Sequence, residues 1–311
     1  MSTLQAIFVD PFVLIWELPL FFVEVVIGGL MAGVMYSLVA LGFVLIFKAS
    51  GVFNFSQGAM VLFAALCFVG LIELGILPLI AFALTILIMI ALAFAIERVV
   101  LRPLVNQPPI ILFMATIGIT FFLDGFGQAL WGSDVKTLDI GIPNQPIDVG
   151  GVFINQFDLF AAFTCGLLVV ALALFFQYTA IGRALRAVAD DHQAAMSVGI
   201  PLRVIWTIVW SVAGFVGLVA GIMWGSKLGV QFSLALIALK ALPVLILGGF
   251  TSVPGAIVGG LIIGAGETVA EVYWGDAFGG AIEDWFAYML ALMFLLFRPQ
   301  GLFGERIIER V

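Results

Sequence analysis

Nine apolar runs, interrupted by one long polar island, restrict what this chain is able to fold into. The runs lie near residues 19–47, 58–75, 77–97, 109–131, 158–178, 203–225, 234–249, 255–272 and 283–297. Hydrocarbon offers no partner to a backbone N–H or C=O, so only helices and closed barrels cross it. These runs are continuously apolar rather than alternating, which selects helices. Hydrophobic residues make up 64% of the 311 positions and charged residues 10%, with mean hydropathy +1.26, outside the range of soluble domains. The fold class is therefore an all-α integral membrane protein, a polytopic bundle of about eight or nine transmembrane helices. A straight span needs about 20 apolar residues. The first run exceeds that and contains Gly28, Gly29 and Gly33, so a bent or split helix is expected there. The seventh and the last are short, which points to tilted, broken or re-entrant helices.

Charge fixes an expected orientation. Lys48, Arg98, Arg102, Arg183, Arg186, Arg203, Arg298, Arg306 and Arg310 can all be placed on one side, nine of the twelve basic residues. Cytoplasmic loops carry such an excess. The other side collects Asp134, Asp139, Asp148 and Asp158 in or beside an outer loop at 132–157, then Glu271, Asp276, Glu283 and Asp284. Trp131, Trp224, Trp274 and Trp285 fall at the outer ends as an aromatic belt. The amino terminus is then outside and the carboxyl terminus cytoplasmic. No basic stretch precedes the first run, so a cleavable signal peptide is not expected.

Two glycine series, Gly214/Gly217/Gly221/Gly225 and Gly255/Gly259/Gly260/Gly264, sit at the small-residue spacing that lets helices approach closely in lipid. They serve either packing within the bundle or a seam against a second membrane subunit. The polar island, Gly182 to Arg203, holds three arginines, Asp190, Asp191 and the only histidine, His192. Helix formers fill it, and Gly199 and Pro201 close it. Ala194, Ala195 and Gly199 leave a small, flat surface for another protein; the plainer reading is an interfacial helix whose arginines touch lipid phosphates.

Gln193-Ala194-Ala195 followed by Gly199 resembles the EAA-x-x-x-G loop of ABC-importer membrane subunits, with Gln193 in place of the glutamate. Residues 28–58, GGLMAGVMYSLVALGFVLIFKASGVFNFSQG, look like the opening of permeases from branched-chain amino acid ABC importers. Residues 239–264, LKALPVLILGGFTSVPGAIVGGLIIG, resemble that family's L-G-G-x-G-S-x-P-G-A run, and Phe297–Phe303, FRPQGLF, its R-P-x-G-L-F ending. The likeness covers nearly the whole chain and is weakest in 1–18 and 132–157. It implies a single permease domain over 1–311, with 180–202 forming a cytoplasmic coupling helix seated in a groove of an ATPase. Arg183, Arg186, Asp190, Asp191, Gln193, Ala194, Ala195 and Gly199 would then be the coupling residues. It also implies two cytoplasmic ATPase subunits, a second homologous permease, a periplasmic or extracellular solute-binding protein, and a multi-pass location in a bacterial plasma membrane. This chain would hold no cofactor, with ATP and Mg bound by the ATPases. The sequence departs from the family at Gln57, where histidine is frequent, and at Ala59, where an acidic residue is common. The family also serves urea and short amides.

Polar groups at membrane depth are the candidate pathway residues: Asn54 and Gln57 in a break bounded by Gly51 and Gly58, then Lys240, Glu267 and Thr268. A charge at a helix centre costs about 2.5–3.5 kcal/mol on insertion scales, so each needs a partner or water. Lys240 either lines the path or pairs with an acid such as Glu267. Asn54 and Gln57 either offer amides to a ligand or cap helices. Asp124 and Gln128 lie near the outer mouth, and Glu97 pairs with Arg98 at the inner interface.

No Gly-x-x-x-x-Gly-Lys-Ser/Thr loop occurs, so energy for pumping comes from an ion gradient or another polypeptide. Cys67 and Cys165 both lie within apolar runs, and one histidine without a second ligand builds no zinc site. Nothing points to nucleic acid. Three function classes stand: an ATP-driven importer subunit, an ion-coupled secondary transporter built on broken helices, and a passive channel. Only the first accounts for the island.

Overall fold

The computed structural model describes residues 3–105 and 107–304; Arg306 and Arg310 lie outside the described residues. Two short helices, α1 (Thr3–Phe8) and α2 (Asp10–Glu17), precede α3 (Pro19–Ser50), α4 (Gln57–Glu73) and α5 (Pro78–Ala95). A π-helical segment, Ile96–Leu101, and a 3-10 turn, Arg102–Leu104, extend α5. After α6 (Pro109–Trp131) comes a hairpin of β1 (Pro146–Val149) and β2 (Val152–Asn155), paired antiparallel with Pro146 opposite Asn155. The chain continues through α7 (Gln156–Tyr178), α8 (Ala180–Asp190), α9 (His192–Ser197), α10 (Leu202–Leu228), α11 (Ile237–Gly248), α12 (Val253–Phe278) and α13 (Ile282–Phe297).

Each of the nine apolar runs coincides with one of these helices. Six are long and apolar enough to cross a membrane: Pro19–Ser50, Pro78–Leu104, Pro109–Trp131, Gln156–Tyr178, Leu202–Leu228 and Val253–Phe278. Gln57–Glu73 and Phe232–Gly248 are shorter apolar helices. The seventh run is the broken one: a 3-10 turn, Phe232–Leu236, leads into the 12-residue α11, which carries Pro243 internally. At 1.5 Å per residue α11 is about 18 Å long, short of a hydrocarbon core of about 30 Å. Prolines open several helices, at the first turn of α5, α6 and α12, where a missing N–H is harmless.

The first run is not split. α3 is one unbroken 32-residue helix, and its glycines serve contact instead. A Cβ on Gly33 would overlap the carbonyl oxygen of Gly260, and one on Gly29 would lie 2.7 Å from the carbonyl oxygen of Gly264. Backbone rests on backbone there, so no side chain fits.

The chain divides into two compact units. One comprises Met1–Leu38, Gly141–Leu167 and Lys240–Val311; within it α12 packs against α13, α1, α2 and the first half of α3. The other comprises Val39–Ile140 and Leu168–Leu239. Its centre is α4, buried from Gln57 through Gly70 and surrounded by α10, α5 and α6. A helix apolar on every side belongs in such a position. Gly217 and Gly221 of α10 lie on Val61 of α4, and Gly214 lies on Met89 of α5. Both glycine series are thus spent on packing inside the molecule.

Candidate functional site

The polar island folds as two short helices, α8 and α9. Thr179 caps α8 by accepting from the Gly182 N–H at 3.2 Å. One face of α8, Gly182, Leu185 and Val188, is buried. Arg183 and Arg186 serve the end of α7: Arg186 donates to the Phe176 and Gln177 carbonyls at 2.7 and 3.3 Å, and Arg183 donates to the Tyr178 carbonyl at 3.2 Å. They satisfy carbonyls that a helix C-terminus leaves bare and fold α8 back onto α7. Asp190 is exposed.

Asp191 caps α9, its Oδ1 accepting from the N–H groups of Gln193 at 2.8 Å and Ala194 at 3.0 Å. Those two bonds hold its carboxyl below the usual carboxylate range. His192 Nε2 donates to the Ala49 carbonyl at 3.2 Å, and Trp206 Nε1 donates to the same oxygen at 2.9 Å. The only histidine therefore ties α9 to the end of α3. Ala195 is turned inward and buried, whereas Gln193, Ala194, Met196, Val198 and Gly199 are exposed. Gly199 has φ +87°; its N–H reaches the Met196 carbonyl and that of Ile200 reaches Ala195, both at 3.0 Å. This is a Schellman ending, which needs a left-handed residue.

The break at 51–58 is closed from within. Asn54 and Gln57 are both buried. Asn54 Oδ1 accepts from the Ser56 N–H at 3.1 Å and its hydroxyl at 2.6 Å, an Asx turn at the start of α4. Gln57 Nε2 donates to the Ala213 carbonyl at 3.3 Å, its Oε1 has no hydrogen bond among the described residues, and its amide fills the space beside Gly42. The Phe55 N–H, freed by the break, is taken by Thr116 of α6 at 3.0 Å.

Lys240, Glu267 and Thr268 gather in the other unit. Lys240 lies in the first turn of α11 and bonds Glu283 Oε1 at 3.2 Å and Asp284 Oδ1 at 3.4 Å, both in the first turn of α13. It has carboxylate partners, as expected, but those bonded to it are not Glu267, and it sits at a helix end rather than deep in a span. Glu267 is 2% exposed; the Tyr36 hydroxyl bonds its carboxylate, while Oε2 has no hydrogen bond among the described residues. Thr268 bonds the Gly264 carbonyl at 2.9 Å beside Gly29. Glu97 meets Arg102 at 3.7 Å, not Arg98, because a π turn brings residues five apart onto one face.

Sequence reading missed one junction. The FRPQGLF stretch returns to the end of α11: Leu302 donates to the Leu247 carbonyl at 2.8 Å and Phe303 to that of Gly248 at 3.1 Å. Gly249 and Gly301, both at positive φ, abut there. Two motifs some fifty residues apart in the chain form one knot. Among the described residues no three His, Cys, Asp or Glu side chains gather as a metal site would require.

The family model described as the branched-chain amino acid transport system permease component matches residues 25–298. The high-affinity branched-chain amino acid transport permease BraD of Pseudomonas aeruginosa is 30% identical over 93% of this chain and 98% of its own length. LivH of Escherichia coli is 28% identical over 94% and 98%, and a probable LivH of Methanocaldococcus jannaschii 27% identical over 89% and 91%. A chain of PsaBC from Streptococcus pneumoniae in complex with Fab overlays 87% of this chain and 89% of its own at TM-score 0.46 and 14% identity, below the level at which a shared fold is read. The match spans both units, all six long helices and the polar island, and the chain belongs to the family of branched-chain amino acid transport permeases, the membrane-embedded subunits of amino acid importers.

Proposed function

We propose that this permease forms the pathway for branched-chain amino acids in an ATP-driven importer of a bacterial plasma membrane. It works with two cytoplasmic ATPase subunits that bind ATP and Mg, a second homologous permease, and an external solute-binding protein. The amino terminus and loop 132–157 face outward, and 180–202 is the cytoplasmic coupling segment of a single permease domain.

One observation carries the coupling reading. The α8–α9 pair is anchored on its inner side by Leu185, Val188, Ala195 and His192, while Gln193, Ala194, Met196 and Val198 project outward, with Val198 74% exposed. Apolar side chains on an otherwise polar surface suit a protein partner. ATP-driven closure of the ATPases would move this pair and, through the Arg186 and His192 bonds, the ends of α7 and α3.

Ala194→Trp tests it in a tagged importer purified in mild detergent. Position 194 is exposed and helical, so bulk there disturbs docking without the backbone strain that Gly199→Trp adds. The expected result is normal insertion and recovery of the second permease, with loss of the ATPases and of uptake. Retained ATPases with normal uptake would remove the coupling assignment. Uptake by the chain alone under an ion gradient would replace the importer with a secondary transporter.

A further inference from the structure

Thr116, Thr120, Asp124 and Gln128 recur every fourth residue on α6. That spacing lays them along one side of the helix as a polar stripe about 18 Å long. It begins buried at Thr116, which accepts the Phe55 N–H at the 51–58 break, and turns outward to an exposed Gln128. Thr120 is bonded to the Thr116 carbonyl at 3.0 Å. Asp124 is half-buried; among the described residues its Oδ1 has no hydrogen-bond partner and no ion pair includes it. α4, which packs on α6, supplies no cation. α4 meets it through Phe63, Leu66 and Gly70, and the one charged residue of α4, Glu73, is bonded to Lys136.

An ionisable side chain within a span faces water or an opposite charge. Helix seams in lipid rely on small residues at close approach, but Phe113, Ile117 and Phe121 flank this stripe, with Phe121 72% exposed. A row of hydroxyl, hydroxyl, carboxylate and amide groups beside bulky apolar ones suits an amphipathic solute better than a seam.

We propose that this face of α6 is the chain's wall of the solute path, with Asp124 receiving the ammonium group of a branched-chain amino acid and Ile117 and Phe121 its aliphatic side chain. The proposal rests on the importer reading. The test uses the complete importer in proteoliposomes, with Thr120→Cys, Asp124→Cys and Gln128→Cys exposed to a water-soluble methanethiosulfonate. Phe122→Cys, on the far side of α6 where an apolar groove of about 500 Å³ lies against α5, is the control. The native Cys67 and Cys165 are buried. The three stripe cysteines should react faster than the control, and leucine presented on its binding protein should slow them. Asp124→Asn should lower ATP-driven leucine uptake roughly ten-fold, with Asp124→Glu recovering most of it. Stripe cysteines no more reactive than the control, or wild-type uptake by Asp124→Asn, would each overturn the proposal. A wild-type importer that takes up no leucine on ATP addition would instead sink the reading beneath it, and the labelling pattern would still be read separately.

Discussion

Asp191 shows how much a single side chain in the polar island is asked to do locally. Its carboxylate satisfies two of the N–H groups that open α9, and those bonds lower its pKa. The native pKa lies below that of the unfolded chain, so the cap contributes fully above the unfolded value of about 3.9 and is lost as pH falls through the lowered native one. Between about pH 5 and 8 the cap is therefore constant. Amide protection factors at Gln193 and Ala194 should hold over that range and fall in acid. In Asp191→Asn, which caps without titrating, the acid loss should vanish; an unchanged acid loss would remove Asp191 as its source. Sequence reading placed Arg183, Arg186, Asp191 and Ala195 on a docking surface with Gln193 and Ala194. The helical character of the island was legible in its composition. The division of labour was not, because an arginine bonding carbonyls ten residues earlier, or an alanine turned inward, depends on how α8 folds against α7.

At the scale of elements, hydrophobic runs located all nine apolar helices, since burial in lipid writes itself into composition over twenty residues. What each glycine does was harder to read. Gly28, Gly29 and Gly33 look like a hinge in sequence, yet α3 continues through them, and two of the three lie against α12. Only the opposing glycines of α12 reveal this, over 200 residues away. A pair of substitutions separates the roles. Gly33→Val puts branched carbon where the Gly260 backbone already is and should cost about 1–3 kcal/mol through overpacking, seen as a lower detergent melting temperature and reduced yield. Gly28→Val, with nothing within 4 Å of its added Cβ, should leave both near wild type. Equal losses would mean that the α3 glycines matter for backbone freedom rather than contact. The Glu97–Arg102 pair teaches the same lesson: adjacency in sequence favoured Arg98, and a π turn visible only in the backbone chose Arg102.

For the whole molecule, α7 turns chain connectivity into a statement about sides. The β1–β2 hairpin ends at Asn155, one residue before α7 begins, and α8 begins two residues after α7 ends. α7 has 23 residues and so spans about 34 Å, enough to cross a hydrocarbon core of about 30 Å once. If α7 is a span, the hairpin and the polar island lie on opposite faces of the membrane. The positive-inside asymmetry then gives the expected assignment: Arg183, Arg186 and Arg203 lie in the island, while Asp148 lies in the hairpin with Asp139 before it and Asp158 after it. Asp148→Cys and Asp190→Cys test this directly, since both side chains are exposed. In right-side-out vesicles an impermeant maleimide should label position 148 at once and position 190 only after permeabilisation. Labelling of both from one side would mean that α7 does not cross. The reverse pattern would place the island outside, beyond reach of any cytoplasmic ATPase, and would take the coupling reading with it.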